Sequence, residues 1–297
     1  MEYPAPERRD YELSDGTISA WHFGQSRNPL KVVFLHANGF NGLSYRRVLE
    51  PLGVHAVALD LRGHGFSDLP TKPSRLKSWN VFRDDICDFF ERYVKSPVIV
   101  SGHSYGAVSG ILAAKNLGDK MSGYVGFDPV LMPRLARLYS VMPMGRASMK
   151  KRLPIARNAG KRRREFDSQQ AAFEKYKGRG AFKGVPDEIL NDYLSGGLEP
   201  GLDGGVQLSC DPLWEQAIFC AQGHKSFKAL RHLPRHRRLI FAGKASPTPK
   251  PCRDRAAKIL GTESVDYAEN GEHLFPLHNP EMATEALREM INHVSLS

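Results

Sequence analysis

A serine between two glycines, a histidine near the C-terminus and a scatter of carboxylates are the groups in this sequence that could together break an acyl bond. Gly102-His103-Ser104-Tyr105-Gly106 follows the apolar run Pro97-Val98-Ile99-Val100 and precedes a helix-forming run over 107–114. A strand therefore runs straight into a helix at Ser104. Glycines on both sides let the backbone turn sharply and leave a serine hydroxyl exposed above a sheet, at a helix N-terminus. Serine at its free pKa is a weak nucleophile. Such a turn calls for a histidine to take its proton and a carboxylate to orient that histidine, in the chain order serine, acid, histidine. Without those partners the same five residues are an ordinary Gly/Ser turn.

The histidine is found from the elements around it. Residues 264–268 read as a strand and 269–273 as the loop after it. Residues 280–294 read as a helix, with Asn279 as N-cap, Pro280 at the first position, and Met282, Ala286, Leu287, Met290, Ile291 and Val294 at helical spacing. His273 falls where a strand end would present a base. His278, just before the N-cap, is expected in solvent.

Four segments carry a resemblance to a known family. They are Val32-Val33-Phe34-Leu35-His36-Ala37-Asn38-Gly39, then Leu59-Asp60-Leu61-Arg62-Gly63-His64-Gly65-Phe66-Ser67-Asp68, then the serine turn, then Asn270-Gly271-Glu272-His273-Leu274-Phe275-Pro276. In this order they resemble the α/β-hydrolase superfamily, in the cap-bearing branch that includes esterases, haloalkane dehalogenases and epoxide hydrolases. The resemblance implies an α/β fold: a mostly parallel central sheet with helices on both faces and a mainly helical cap insertion. It also implies an oxyanion hole made by the backbone N–H groups of Asn38 and Tyr105, although Ala37 stands where the family usually has glycine. Asp60, Arg62, Gly63, His64 and Gly65 would shape a loop beside the site.

The acid departs from the commonest family pattern, in which an Asp follows the seventh strand. The strand at that place, 238–242, is followed by 243–253 with no carboxylate, and Asp254 falls inside the next helix. Residues 123–127 end instead in Asp128-Pro129, which resembles dehalogenases whose acid follows the sixth strand. Pro129 cannot donate to a sheet and should hold Asp128 extended. Asp128 is the preferred acid, with Asp254, Asp266 and Glu269 in reserve. Dehalogenases and epoxide hydrolases use an Asp nucleophile, whereas Ser104 attacks a carbonyl carbon and gives an acyl-enzyme. The expected function is a carboxylesterase acting on small to medium apolar esters. A lactonase or C–C bond hydrolase uses the same machinery, and a weakly catalytic ligand-binding protein is the reading from another class.

The chain of 297 residues divides, on this reading, into a core of 1–130 and 223–297 and a cap of 131–222. Asp15-Gly16 between alternating runs predicts a hairpin over 11–23, and helices are expected near 45–50, 79–94 and 107–117. Within the cap, 166–176 and 187–194 read as helices. Leu131, Met132, Leu135, Leu138, Tyr139, Met142, Met144, Phe166, Phe173, Leu213, Trp214 and Phe219 either line an acyl pocket or form the cap's own core. Net charge is +10, and Arg146 to Arg164 holds nine cations with no acid. That run reads as a solvated or oligomer-facing helix, a funnel for anionic substrates, or a surface near anionic lipid. It lacks interleaved aromatics, so nucleic acid is not expected. No signal-peptide core opens the sequence, no run is long enough to span a membrane, and Cys87, Cys210, Cys220 and Cys252 lack metal-ligand spacing. A cytoplasmic enzyme with no cofactor, no metal and a small-molecule ester substrate is expected, its oligomeric state open.

Overall fold

The computed structural model of the protein describes residues 3–201 and 203–296. Its strands are β1 (Glu7–Leu13), β2 (Gly16–Phe23), β3 (Leu30–Leu35), β4 (His55–Leu59), β5 (Val98–His103), β6 (Met121–Phe127), β7 (Glu165–Phe166), β8 (Leu198–Pro200), β9 (Val206–Leu208), β10 (His236–Ala242) and β11 (Val265–Ala268). Eight of them form one sheet in the order β1-β2-β4-β3-β5-β6-β10-β11. β1, β2 and β4 pair antiparallel, and every pairing from β4 to β11 is parallel. This is the α/β-hydrolase arrangement expected from the resemblance.

Period-two alternation sends side chains to both faces of the sheet, and both are covered. Along β3, Val33 and Leu35 join Val57, Leu59, Val100 and Phe241 in one buried cluster, under the helices Asn80–Tyr93 and Tyr105–Leu117. Val32 and Phe34 join Ala56, Ala58, Val125 and Ile240 in the other, under the helix Pro280–Ser295. The Asn279 side chain accepts from the Met282 N–H to start that last helix, as the cap reading required. Because parallel strands end together, the carboxyl ends of β3, β5, β6, β10 and β11 bring distant loops to one edge.

The described residues of 131–222 hold six α-helices and a three-stranded antiparallel sheet ordered β7-β9-β8. The helix expected over 166–176 begins only at Gln169. Ser168 caps it by accepting from the Ala171 N–H, and Phe166 pairs with Val206 in the small sheet instead. Side chains tie this region to the rest of the fold: among them, Asn41 Nδ2 donates to Tyr193 O (2.8 Å), Trp214 Nε1 to Arg62 O (2.9 Å) and Trp79 Nε1 to Ile218 O (3.0 Å). Of the twelve apolar residues singled out above, Leu131, Phe166 and Trp214 are buried, but Leu135 and Met144 are 80% and 86% exposed. These two belong neither to a packed core nor to an enclosed pocket. Among the described residues, no helix is long and apolar enough to cross a membrane. The four cysteines are free thiols.

Candidate active site

β5 ends at His103 and the next helix starts at Tyr105, so the whole reversal falls on Ser104, with φ 58° and ψ −120°. The flanking glycines were expected to supply the turn. The structure puts the left-handed conformation on the serine itself, and the glycines serve close approach. A Cβ on Gly106 would stand 2.3 Å from His36 O, and one on Gly102 would stand 2.9 Å from Leu35 O. A non-glycine residue in this conformation costs about 1–3 kcal/mol. It is held by the Ser104 N–H donating to Phe127 O (2.9 Å) and by the helix bond from Val108 N–H to Ser104 O (3.2 Å).

His273 lies in the loop after β11, with Nε2 3.0 Å from Ser104 Oγ and Nδ1 2.7 Å from Asp128 Oδ2. Asp128 is fully buried, so its carboxylate needs donors. With Nδ1–H donating to Asp128, the bare Nε2 accepts the serine hydroxyl. Asp128 Oδ1 accepts from the Ser246 hydroxyl (2.6 Å) and from the Ala242 N–H (3.2 Å). Asp128 was expected to be extended ahead of Pro129. It has φ 39° instead, because its N–H donates to Ile240 O (2.7 Å) and the chain must turn there to aim the carboxylate inward. Of the reserve acids, Asp254 pairs with Lys250 on the surface and Asp266 with Arg238. Glu269 follows β11, and the His273 ring bonds to neither it nor them. His278, expected in solvent, has its Nε2 buried without a hydrogen-bond partner among the described residues.

The turn from His36 to Gly39 is fixed from three sides. Ala37 N–H donates to the Tyr45 hydroxyl (3.1 Å), Gly39 N–H to His64 Nε2 (3.1 Å) and Phe40 N–H to Ala37 O (3.1 Å). The Asn38 N–H is not used within the turn. The Tyr105 N–H, the first of its helix, has no intrahelical acceptor. The Asn38 side chain leaves the turn altogether: Nδ2 donates to Glu215 O (3.0 Å), in the helix Pro212–Cys220. Gly39 has φ 77°, and Glu215 Oε1 lies 2.6 Å from where its Cβ would stand. Glu215 in turn pairs with Arg162 (2.8 Å), whose other donors reach the Tyr176 and Tyr193 hydroxyls.

Several groups around the site are not legible as functional in the sequence. His103, the variable residue inside the serine motif, donates from Nε2 to the backbone carbonyl of His273 (2.7 Å) and accepts the Tyr45 hydroxyl at Nδ1 (2.7 Å). Burial holds this imidazole well below its ordinary pKa, in the neutral form that both bonds require. A single relay thus runs from Ala37 through Tyr45 and His103 to the main chain of His273. Ser246 is a second such group, in the loop searched for an acid. Burial also pushes His64 down to about 4 and Asp60 up to about 7. Asp60 accepts the N–H groups of Gly42 (2.7 Å) and Phe66 (3.1 Å) and so shapes the loop beside the site.

Over 96 residues the chain is 33% identical to 2-(acetamidomethylene)succinate hydrolase of Mesorhizobium japonicum, a match that takes in 30% of this chain and 34% of that enzyme. The solved structure of E-2-(acetamidomethylene)succinate hydrolase is similar with a TM-score of 0.76 at 20% identity, over 97% of this chain and 99% of its own. The thioesterase domain from the curacin biosynthetic pathway is similar with a TM-score of 0.72 at 17% identity, over 99% and 100%. Identities this low show the shared fold alone. The alpha/beta hydrolase family model matches residues 32–286, and this chain belongs to that family.

Proposed function

We propose that the chain is a serine hydrolase that forms an acyl-enzyme, with carboxylic esters of small to medium apolar acids as its substrate class. The observation that carries this reading is the continuous relay from Ser104 Oγ to His273 Nε2 (3.0 Å) and from Nδ1 to Asp128 (2.7 Å). His273 Nε2 takes the hydroxyl proton as Ser104 Oγ attacks the carbonyl carbon, and Asp128 stabilises the imidazolium that forms. The N–H groups of Asn38 and Tyr105 receive the negative charge that develops on the carbonyl oxygen, each worth about 3 kcal/mol of barrier. His273 then returns the proton to the leaving alkoxide. Water, deprotonated by the same Nε2, attacks the acyl-enzyme, and that proton passes to Ser104 Oγ as the C–O bond breaks and the acid leaves. Residues 131–222 act as a cap over the core of 1–130 and 223–297, joined to the oxyanion turn through Asn38 and Glu215. Four free cysteines suit a reducing compartment such as the cytoplasm.

The partial similarity to 2-(acetamidomethylene)succinate hydrolase favours a second reading, in which the scissile acyl group is carried on nitrogen in a dicarboxylate. The test is a series of p-nitrophenyl esters from acetate to long acyl chains, with acetamidomethylene succinate alongside, on wild type and Ser104→Ala. Ser104→Ala is expected to lose about 10⁶-fold in kcat and its labelling by a serine-directed phosphonate. Equal ester rates for the two proteins would remove Ser104 as the nucleophile, and turnover of the dicarboxylate alone would select the second reading.

A further inference from the structure

The nine cations between Arg146 and Arg164 separate into two groups once their contacts are known. Arg146 donates to Ser74 O and Leu76 O, Arg162 is bound to Glu215, Arg163 donates to Glu165 O, and Arg164 pairs with Asp211 and Glu199. The other five, Lys150, Lys151, Arg152, Arg157 and Lys161, form no ion pair among the described residues, and all but the half-buried Lys150 are exposed. They lie on or just beyond the helices Pro143–Arg152 and Pro154–Ala159, which follow Arg134–Val141 in series. The last two of these helices pack on Pro212–Cys220, which leaves their other sides outward. Eight of the twelve large apolar side chains exposed among the described residues fall within 131–222, among them Leu135 (80%), Met144 (86%), Met142 and Ile155.

We infer that this outer face of the three helices docks on the surface of an anionic phospholipid bilayer. Exposed leucine and methionine side chains gain by entering the boundary between headgroups and acyl chains, while lysine and arginine stems lie along that boundary and hold their charge over the phosphates. Each cation near such a surface strengthens binding about fivefold, so five unpaired ones give a strong preference for negative lipid. A second copy of this chain is the poorer occupant. A twofold contact through the same face would bring the five unpaired cations of one copy against those of the other.

The test is flotation of the full chain with vesicles of pure phosphatidylcholine and of phosphatidylcholine with about 30% phosphatidylglycerol, at low and high salt. Binding is expected to the negative vesicles only, weakening steeply with salt. Reversing three charges (Lys150→Glu, Lys151→Glu, Arg152→Glu) should weaken it about 100-fold or more, at about fivefold for each cation lost. Leu135→Asp with Met144→Asp should abolish it at low salt as well. Both variants should hydrolyse a soluble ester at the wild-type rate, which shows that they fold. Ser104→Ala should bind vesicles like wild type, so this inference and the proposed reaction fail separately. Absence of binding, or equal binding to both vesicle types, would overturn the inference. So would a wild-type dimer in sedimentation that becomes monomeric in Leu135→Asp with Met144→Asp.

Discussion

The carboxyl edge of the sheet and the outer helices of the 131–222 region are built by opposite rules. At the edge, Ser104, His103 and Asp128 are buried, and each has its side-chain polar atoms engaged by a named partner. On the outer helices, apolar side chains stand in solvent and cations go unpaired. The difference shows which surfaces the fold constrains to a fraction of an ångström and which it leaves adjustable. A reacting centre needs fixed distances, and buried groups that must be satisfied supply them.

The largest test of this contrast lies in the acid. Asp128→Asn should lower kcat about 10⁴-fold, since the amide can no longer hold the Nδ1–H tautomer of His273, whereas Asp254→Asn should stay within about twofold. Comparable losses in the two, read from steady-state rates, would move the acid. On packing, Phe127→Ala at the end of β6 should cost about 3–5 kcal/mol in urea unfolding, because its ring packs with Phe34 and Phe275. Leu135→Ala should fall within about 0.5 kcal/mol, as a side chain 80% exposed contributes little packing.

A third test uses pH. His64 donates from Nδ1 to the carbonyls of Leu61 and Arg62 and accepts the Gly39 N–H at Nε2, and burial disfavours a second proton on the ring. Its folded pKa of about 4 lies below the unfolded value, so unfolding takes up a proton between pH 4 and 6.5. Stability from this group is therefore complete above pH 6.5 and is lost as pH falls towards 4. The advantage of wild type over His64→Gln in urea midpoints should shrink across that window by on the order of 3 kcal/mol. A pH-independent difference would mean that His64 titrates alike in the folded and unfolded chain. A smaller loss of activity than that of Asp128→Asn is expected from Tyr45→Phe. It leaves the Ala37 N–H and His103 Nδ1 without partners and should lower kcat about tenfold with KM little changed.

What could be read in advance followed from how local each signal was. Ser104 and His273 each sit where one strand, one loop and one helix meet, so patterns of a dozen residues were enough to single them out. The sheet was legible for the same reason. β7, β8 and β9 were not, since strands of two or three residues have no periodicity to detect. Tyr45, His103 and Ser246 escaped because their partners lie 58, 170 and 118 positions away, and nothing in their own surroundings marks them. The backbone of Asp128 was misread because a proline rule for the residue before it gave way to two hydrogen bonds with β10, one donated to Ile240 O and one accepted from the Ala242 N–H.

Ser246 stands 2.6 Å from the carboxylate of Asp128, at the end of the strand beside it. The carboxylate that faces the imidazole is thus held from two strand ends at once, by its own backbone at the end of β6 and by a hydroxyl braced from the loop after β10, so a shift of either strand end would be felt at the imidazole.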